Sequence, residues 1–223
     1  MKQKRVLAVH DLSCVGRCSL TVALPILSAA GLEASALPTA VLSTHTGGFT
    51  GMTFRDLTQD LPAIFAHWKT LDLAFDAIYT GYLGSAEQVA LARELALPVI
   101  IHDREAHADT LSIVREFPGV TGVFHCFSGS PEMARELLQM GWYLGFDGPV
   151  TYKNARRAPE VAAVTPPERM LIETDSPYMT PVPYRGKRND SGYVYLVAEK
   201  LAAWKGLAPE ELARITTENG KRL

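Results

Sequence analysis

The stretch Ser85-Ala-Glu-Gln-Val-Ala-Leu-Ala-Arg-Glu-Leu-Ala-Leu97 constrains the fold more than any other part of the chain. Val89, Ala92 and Ala96 fall on one stripe of a helical projection and Leu91 and Leu95 on an adjoining one, while Glu87, Arg93 and Glu94 stay polar. Short apolar runs flank it, Phe75 to Thr80 before and Pro98 to His102 after. A helix between two such runs is the crossover of a pair of parallel strands, which no tight turn can join. The expected fold is therefore α/β, built on parallel sheet.

Repetition of the same unit extends the expectation in both directions. Arg5 to Val9 is an apolar run suited to a buried strand, and Ser13 to Gly31 reads as a helix closed by glycine. Glu33 to Thr46 is extended and is broken at Gly47-Gly48; Asp60 to Leu71 is helical, and Phe75 to Thr80 is the next strand. This β-α-β-α-β order opens a doubly wound sheet. Beyond the dividing helix, Pro98-Val-Ile-Ile-His102 and Gly122-Val-Phe-His125 are strands that end in histidine, and Arg169 to Asp175 is a strand that ends in two carboxylates. Pro131 to Met140, Val194 to Trp204 and Pro209 to Leu223 read as helices, and Trp142 to Phe146 as a strand. Seven strands result, near 5–10, 35–42, 75–80, 98–102, 121–125, 142–146 and 170–174.

Composition narrows the function classes. With 47% hydrophobic and 21% charged residues the 223-residue chain is an ordinary globular protein, and its net charge of −2 gives no general pull toward nucleic acid or anionic lipid. Any phosphate binding has to be local. Cys14, Cys18 and Cys126 are too few for a disulfide framework and suggest a reducing compartment. Cys14 and Cys18, a helical turn apart, read as buried helix thiols or as a pair of metal ligands. No run reaches the roughly 20 apolar residues of a membrane span, and the N-terminus shows no secretory apolar region. The expected location is the cytoplasm.

Polar residues at the carboxyl ends of parallel strands are where α/β folds build sites. His102, His125 and Asp175 occupy three such ends and could converge on one divalent ion with nitrogen and oxygen ligands; each histidine taken singly could equally be structural.

Several words of the sequence go further. Val-His-Asp-Leu-Ser-Cys-Val-Gly (9–16), Leu-Ser-Thr-His-Thr-Gly-Gly (42–48) and Thr-Gly-Tyr-Leu-Gly-Ser (80–85) together resemble the N-terminal third of pyridoxal kinases of the ribokinase-like fold. The resemblance implies that Asp11, His45 and Thr46 line a pyridoxal pocket, although capping of strands and helices would also account for them. That family holds ATP with a late Gly-x-Gly-Asp turn, which has no counterpart here; Gly145-Phe-Asp-Gly148 has the wrong order. Neither ATP binding nor kinase activity is expected.

From the dividing helix onward the resemblance changes. Pro-Val-Ile-Ile-His-Asp-Arg-Glu-Ala-His (98–107), Phe-His-Cys-Phe-Ser-Gly (124–129), Ile-Glu-Thr-Asp-Ser-Pro-Tyr (172–178) and Pro-Val-Pro-Tyr-Arg-Gly-Lys-Arg-Asn (181–189) look like the TatD-type metal-dependent deoxyribonucleases, in order and spacing to the last residue. This implies a two-metal hydrolase on a TIM barrel, with His102, His125 and Asp175 as ligands. By the same resemblance Arg185, Lys187 and Arg188 meet phosphate, unless they form a solvated basic loop. His10 matches one histidine of the family's opening His-x-His, but Leu12 stands at the second, and Tyr82 takes the place of a bridging glutamate. A two-metal clamp needs an anionic bridge.

These readings combine into one expectation: an engineered chimera of two fragments, 1–88 kinase-like and 89–223 half-barrel, joined within 85–97 as one compact domain over 1–223. The fold would be an open doubly wound sheet fused to the half-barrel, with an incomplete or closed TIM-like barrel as the alternative. No selected activity is expected. The alternative is a weak metal-dependent phosphodiesterase or deoxyribonuclease holding one Zn, Mn or Mg ion on His10, His102, His125 and Asp175. A small phosphate-like anion is the only ligand indicated besides the metal; neither membrane nor nucleic acid is expected as a partner.

Overall fold

Parallel strands dominate the molecule, as the crossover pattern requires. The computed structural model describes residues 3–16, 18–46, 48–71, 73–80, 98–103 and 106–223. The helix expected over 85–97, and Tyr82 with its turn, lie outside the described residues. The chain divides into two compact units, Met1–Ile100 and Ile101–Leu223.

In the first unit β1 (Arg5–Ser13) pairs in parallel with β2 (Glu33–Leu42) and with β4 (Ala77–Thr80), while β3 (Phe54–Asp56) runs antiparallel on the far side of β2. The order β3-β2-β1-β4 places the first strand between the two that follow it in parallel, the arrangement of an open doubly wound sheet. Val6, Leu7, Ala8 and Val9 are all buried, the signature of a strand covered on both faces. Leu7, Val9 and Leu37 pack with Leu61 of α2 (Leu61–Thr70), and Ile64, Phe65, Trp68 and Phe75 close over them. The helix expected from Ser13 begins only at Leu20 (α1, Leu20–Ala29). Leu12 and Ser13 are held in the ladder opposite Val41 and Leu42, so the strand claims them. A register shift between His10 and Leu12 leaves Asp11 at a bulge.

The second sheet has the order β5-β6-β7-β8, with β5 Val99–His102, β6 Gly122–His125, β7 Tyr143–Phe146 and β8 Met170–Ile172. β7 is parallel to both β6 and β8. Among the described residues five helices accompany it: α3 (His107–Glu116), α4 (Pro131–Gln139), α5 (Arg157–Val164), α6 (Val194–Lys205) and α7 (Pro209–Arg222). α4 starts where the sequence dictates, with Pro131 in the first turn and the Ser130 hydroxyl accepting from the Met133 N–H. It turns Met133, Ala134 and Leu137 inward, against a core that contains Phe124, Trp142, Leu144 and Phe146. α7 braces β8 through Asn219, whose amide donates to the carbonyls of Pro167 (2.8 Å) and Met170 (2.7 Å).

The α/β expectation holds, and all seven expected strands are present. Among the described residues there is one further strand, β3, a short edge whose three residues are all exposed, so no buried apolar run announces it. Among the described residues neither sheet closes into a barrel.

Candidate functional site

The second sheet brings its polar strand ends together at one edge. β6 ends at His125, and the segment after β8 carries Glu173 and Asp175. His125 Nδ1 lies 2.7 Å from Glu173 Oε2, and its Nε2 lies 3.2 Å from Asp175 Oδ1. The His102 ring, at the end of β5, is 5.5 Å from the His125 ring between centroids. Three expected ligands, His102, His125 and Asp175, thus share one locality. Cys126 and Asp175 both take left-handed backbone conformations, with φ of 47° and 53°, which turns the chain sharply at each end.

Charge is concentrated there. Burial would lower the His125 pKa, but hydrogen bonds and attraction from Asp175 and Glu173 outweigh it and raise it to about 10. The imidazole is therefore a cation between two carboxylates. Asp147, just after β7, is buried, and burial together with the nearby Glu173 and Asp175 raises it to about 6, against a hydrogen bond from Cys126. The Cys126 thiol donates to Asp147 Oδ2 at 3.1 Å, and burial first, then Asp147, pushes its pKa up. Among the described residues no group of three or more His, Cys, Asp or Glu side chains stands as a formed metal cage.

A strap, residues 176–193, runs beside this edge and is tied down along its length. The Asn189 amide donates to the carbonyls of Thr174 and Tyr178, the Thr180 hydroxyl to Lys187 O, and the Tyr152 hydroxyl to Thr180 O. Gly148 lies so close beneath it that a Cβ there would run into the Met179 carbonyl. On this frame the Arg185 guanidinium sits 4.0 Å above the Tyr152 ring, and Lys187 stands 5.8 Å from the ring of Tyr184, itself stacked on Tyr193. Arg188 is exposed. Among the described residues none of the three cations is ion-paired to a carboxylate.

The remaining candidates belong to the first unit. His10 Nδ1 is 2.7 Å from Asp11 Oδ1, and the Ser13 hydroxyl donates to Asp11 Oδ2 at 2.9 Å. Burial would raise Asp11, but hydrogen bonds from His10, Ser19 and Ser13 hold it below the ordinary carboxylate value. The His45 ring meets Phe49 edge-on and covers Gly16, where a Cβ would collide with it; Thr46 is exposed. Sequence reasoning missed Glu173, Asp147 and Tyr152. The first had a signal, since two carboxylates two residues apart at a strand end point to the same side.

A parallel α/β sheet with imidazoles and carboxylates on its carboxyl edge defines the class: an α/β fold that builds its site at strand ends. The TatD related DNase family model matches residues 86–223, more than half of the chain, and the chain belongs to that family. The uncharacterized metal-dependent hydrolase YabD of Bacillus subtilis is 53% identical over 138 residues, covering 61% of this chain and 54% of the relative. The chain spans about half the length of the curated relatives it matches. The TatD homologue YJJV of Escherichia coli K12 superposes with a TM-score of 0.65 at 24% identity, over 97% of this chain and 84% of that one, which shows the fold. A protein of Bacteroides thetaiotaomicron named a phosphomethylpyrimidine kinase, in a crystal form with pyridoxal, reaches a TM-score of 0.51 at 32% identity over 64% of this chain and 63% of its own. That likeness falls on the N-terminal part.

The family membership overturns the expectation of an engineered, de novo chimera without selected activity. That expectation rested on the kinase-like words of residues 1–88 and on incomplete sites in both parts, whereas the match to natural metal-dependent hydrolases runs through 138 residues. Among the described residues no helix is long and apolar enough to cross a membrane.

Proposed function

We propose that the chain is a metal-dependent hydrolase that cleaves phosphodiester bonds of nucleic acid, using His125, Asp175 and His102 to hold a divalent ion. The observation that carries this reading is the 3.2 Å separation between His125 Nε2 and Asp175 Oδ1. Ligand atoms about 2.1 Å from one ion stand roughly 3.0–3.4 Å from each other in tetrahedral or octahedral geometry. The two donors already have the spacing of one edge of such a polyhedron, and two imidazoles with a carboxylate suit zinc or manganese. The family's description as a DNase and the relative's name as a metal-dependent hydrolase support the same chemistry.

When bound, the ion would polarise a phosphoryl oxygen and lower the pKa of a coordinated water. His125 has to give up its Nε2 proton to solvent before that nitrogen can ligate, since Asp175, beside it, is needed as an ionised ligand. Arg185, Lys187 and Arg188 on the strap would take the phosphates that flank the scissile one, since cations without carboxylate partners lose little on meeting an anion.

The test is hydrolysis of a labelled single-stranded oligonucleotide with manganese or zinc, followed by chelation. Metal-dependent turnover that disappears in Asp175→Ala is expected. Turnover insensitive to both chelator and that substitution would overturn the reading.

A further inference from the structure

We infer that Glu173 is a positioning residue for His125, fixing the ring so that Nδ1 carries the proton and Nε2 is turned toward Asp175. Both oxygens of its carboxylate are committed. Oε2 lies 2.7 Å from His125 Nδ1, and Oε1 accepts the Cys126 N–H at 2.5 Å. The Glu173 backbone is fixed as well, its N–H donating to Phe146 O at 2.9 Å. Cys126 presents its amide to the carboxylate from a left-handed conformation, φ 47°, so the chain bends to make this contact.

Space for the carboxylate comes from Gly145. It lies in the middle of β7, where glycine is unfavourable for want of a side chain to pack, yet a Cβ there would run into the carboxyl group of Glu173. The missing side chain lets Glu173 lie against the strand and reach two donors at once. Three elements, β6, β7 and the segment after β8, therefore converge on a residue that would not itself touch an ion. An imidazole whose second nitrogen is held by a carboxylate has its tautomer and its ring plane set before the other nitrogen ligates.

This rests on the metal reading for its purpose, but the geometric claim is independent of it. Glu173→Gln keeps the shape and removes one acceptor. Two donors, the Cys126 N–H and the His125 Nδ1–H, then compete for a single oxygen, and the new amide NH₂ faces the loser. The imidazole ¹⁵N shifts of the protein without added metal, followed up to pH 11 so that the ring is neutral, should show the remaining proton on Nδ1 in the parent and on Nε2 in E173Q, with the fold retained by circular dichroism. Manganese affinity by calorimetry should fall 10- to 100-fold. A neutral ring that keeps its proton on Nδ1 in E173Q would overturn the inference, as would unchanged manganese affinity. A parent that binds no manganese would sink the metal reading and leave the ¹⁵N result to judge Glu173. If E173Q does not fold, Gly145→Ala, which leaves the carboxylate intact but crowds it, should give the same loss of the Nδ1 proton; its persistence there would count against the inference.

Discussion

His125 Nε2 and Asp175 Oδ1 face each other across 3.2 Å, from residues 50 apart in the chain. In the protein without metal this contact is an ion pair, and under the proposed function it is replaced by two bonds to one ion. Removing either partner should therefore act on binding first. Asp175→Asn and His125→Ala are each expected to weaken manganese or zinc binding at least tenfold, measured by calorimetry, and to reduce metal-dependent turnover by about 10²-fold or more.

The same pair ties metal affinity to pH. With the His125 pKa raised to about 10, ligation at neutral pH must release a proton. Apparent manganese affinity should rise about tenfold per pH unit between pH 6.5 and 8.5, with calorimetry in buffers of different ionisation enthalpy reporting close to one proton released. A flat profile would mean that His125 is not a ligand.

Stability without metal should move in the opposite direction. The folded state keeps the His125 proton to about pH 10, whereas an unfolded histidine loses it near 6.5, so this contribution is full below pH 6.5 and fades as the pH rises through 10. Asp147 adds to the trend at lower pH. Its carboxyl, raised from 3.8 to about 6, binds protons more tightly when folded, so ionising it above pH 6 costs at most about 3 kcal/mol. Asp147→Asn should raise the Tm at pH 7 and leave it nearly unchanged at pH 4, by differential scanning calorimetry. Equal effects at both pH values would assign the change to packing.

On the strap, Arg185 is braced from below by Tyr152 rather than by a carboxylate. Arg185→Ala should raise KM for an oligonucleotide several-fold with little change in kcat, and should lower the salt dependence of binding by about one charge. Tyr152→Leu should do the same more weakly, because it removes the ring that orients the guanidinium while leaving the charge.

Most of the fold could be read from the residues, because each parallel strand is a short apolar run that stops at a polar residue. β3 could not be read, since Phe54-Arg-Asp56 is too short and too exposed to carry a pattern. The start of α1 was placed too early because Leu12 and Ser13 can serve either a strand end or a first helical turn, and only pairing with Val41 and Leu42 decides between them. His102, His125 and Asp175 were legible because they terminate strands. Glu173 was visible as a carboxylate but not as a partner of His125, since that contact spans 48 residues and depends on the absence of a side chain at 145. Function was not legible for a related reason: the kinase-like words of residues 1–88 and the departures at Leu12 and Tyr82 point away from the family whose pattern fills residues 86–223.

The brace that Asn219 forms against Met170 has a consequence in time. Met170 leaves the ribosome 49 residues ahead of the amide that secures its carbonyl. A nascent chain that has just made Asp175 holds His102, His125 and both carboxylates, yet β8 has neither α6 nor α7 behind it. The two hydrogen bonds from Asn219 to that strand end can form only after its helix has been made, so synthesis supplies the ligands before the last of their bracing.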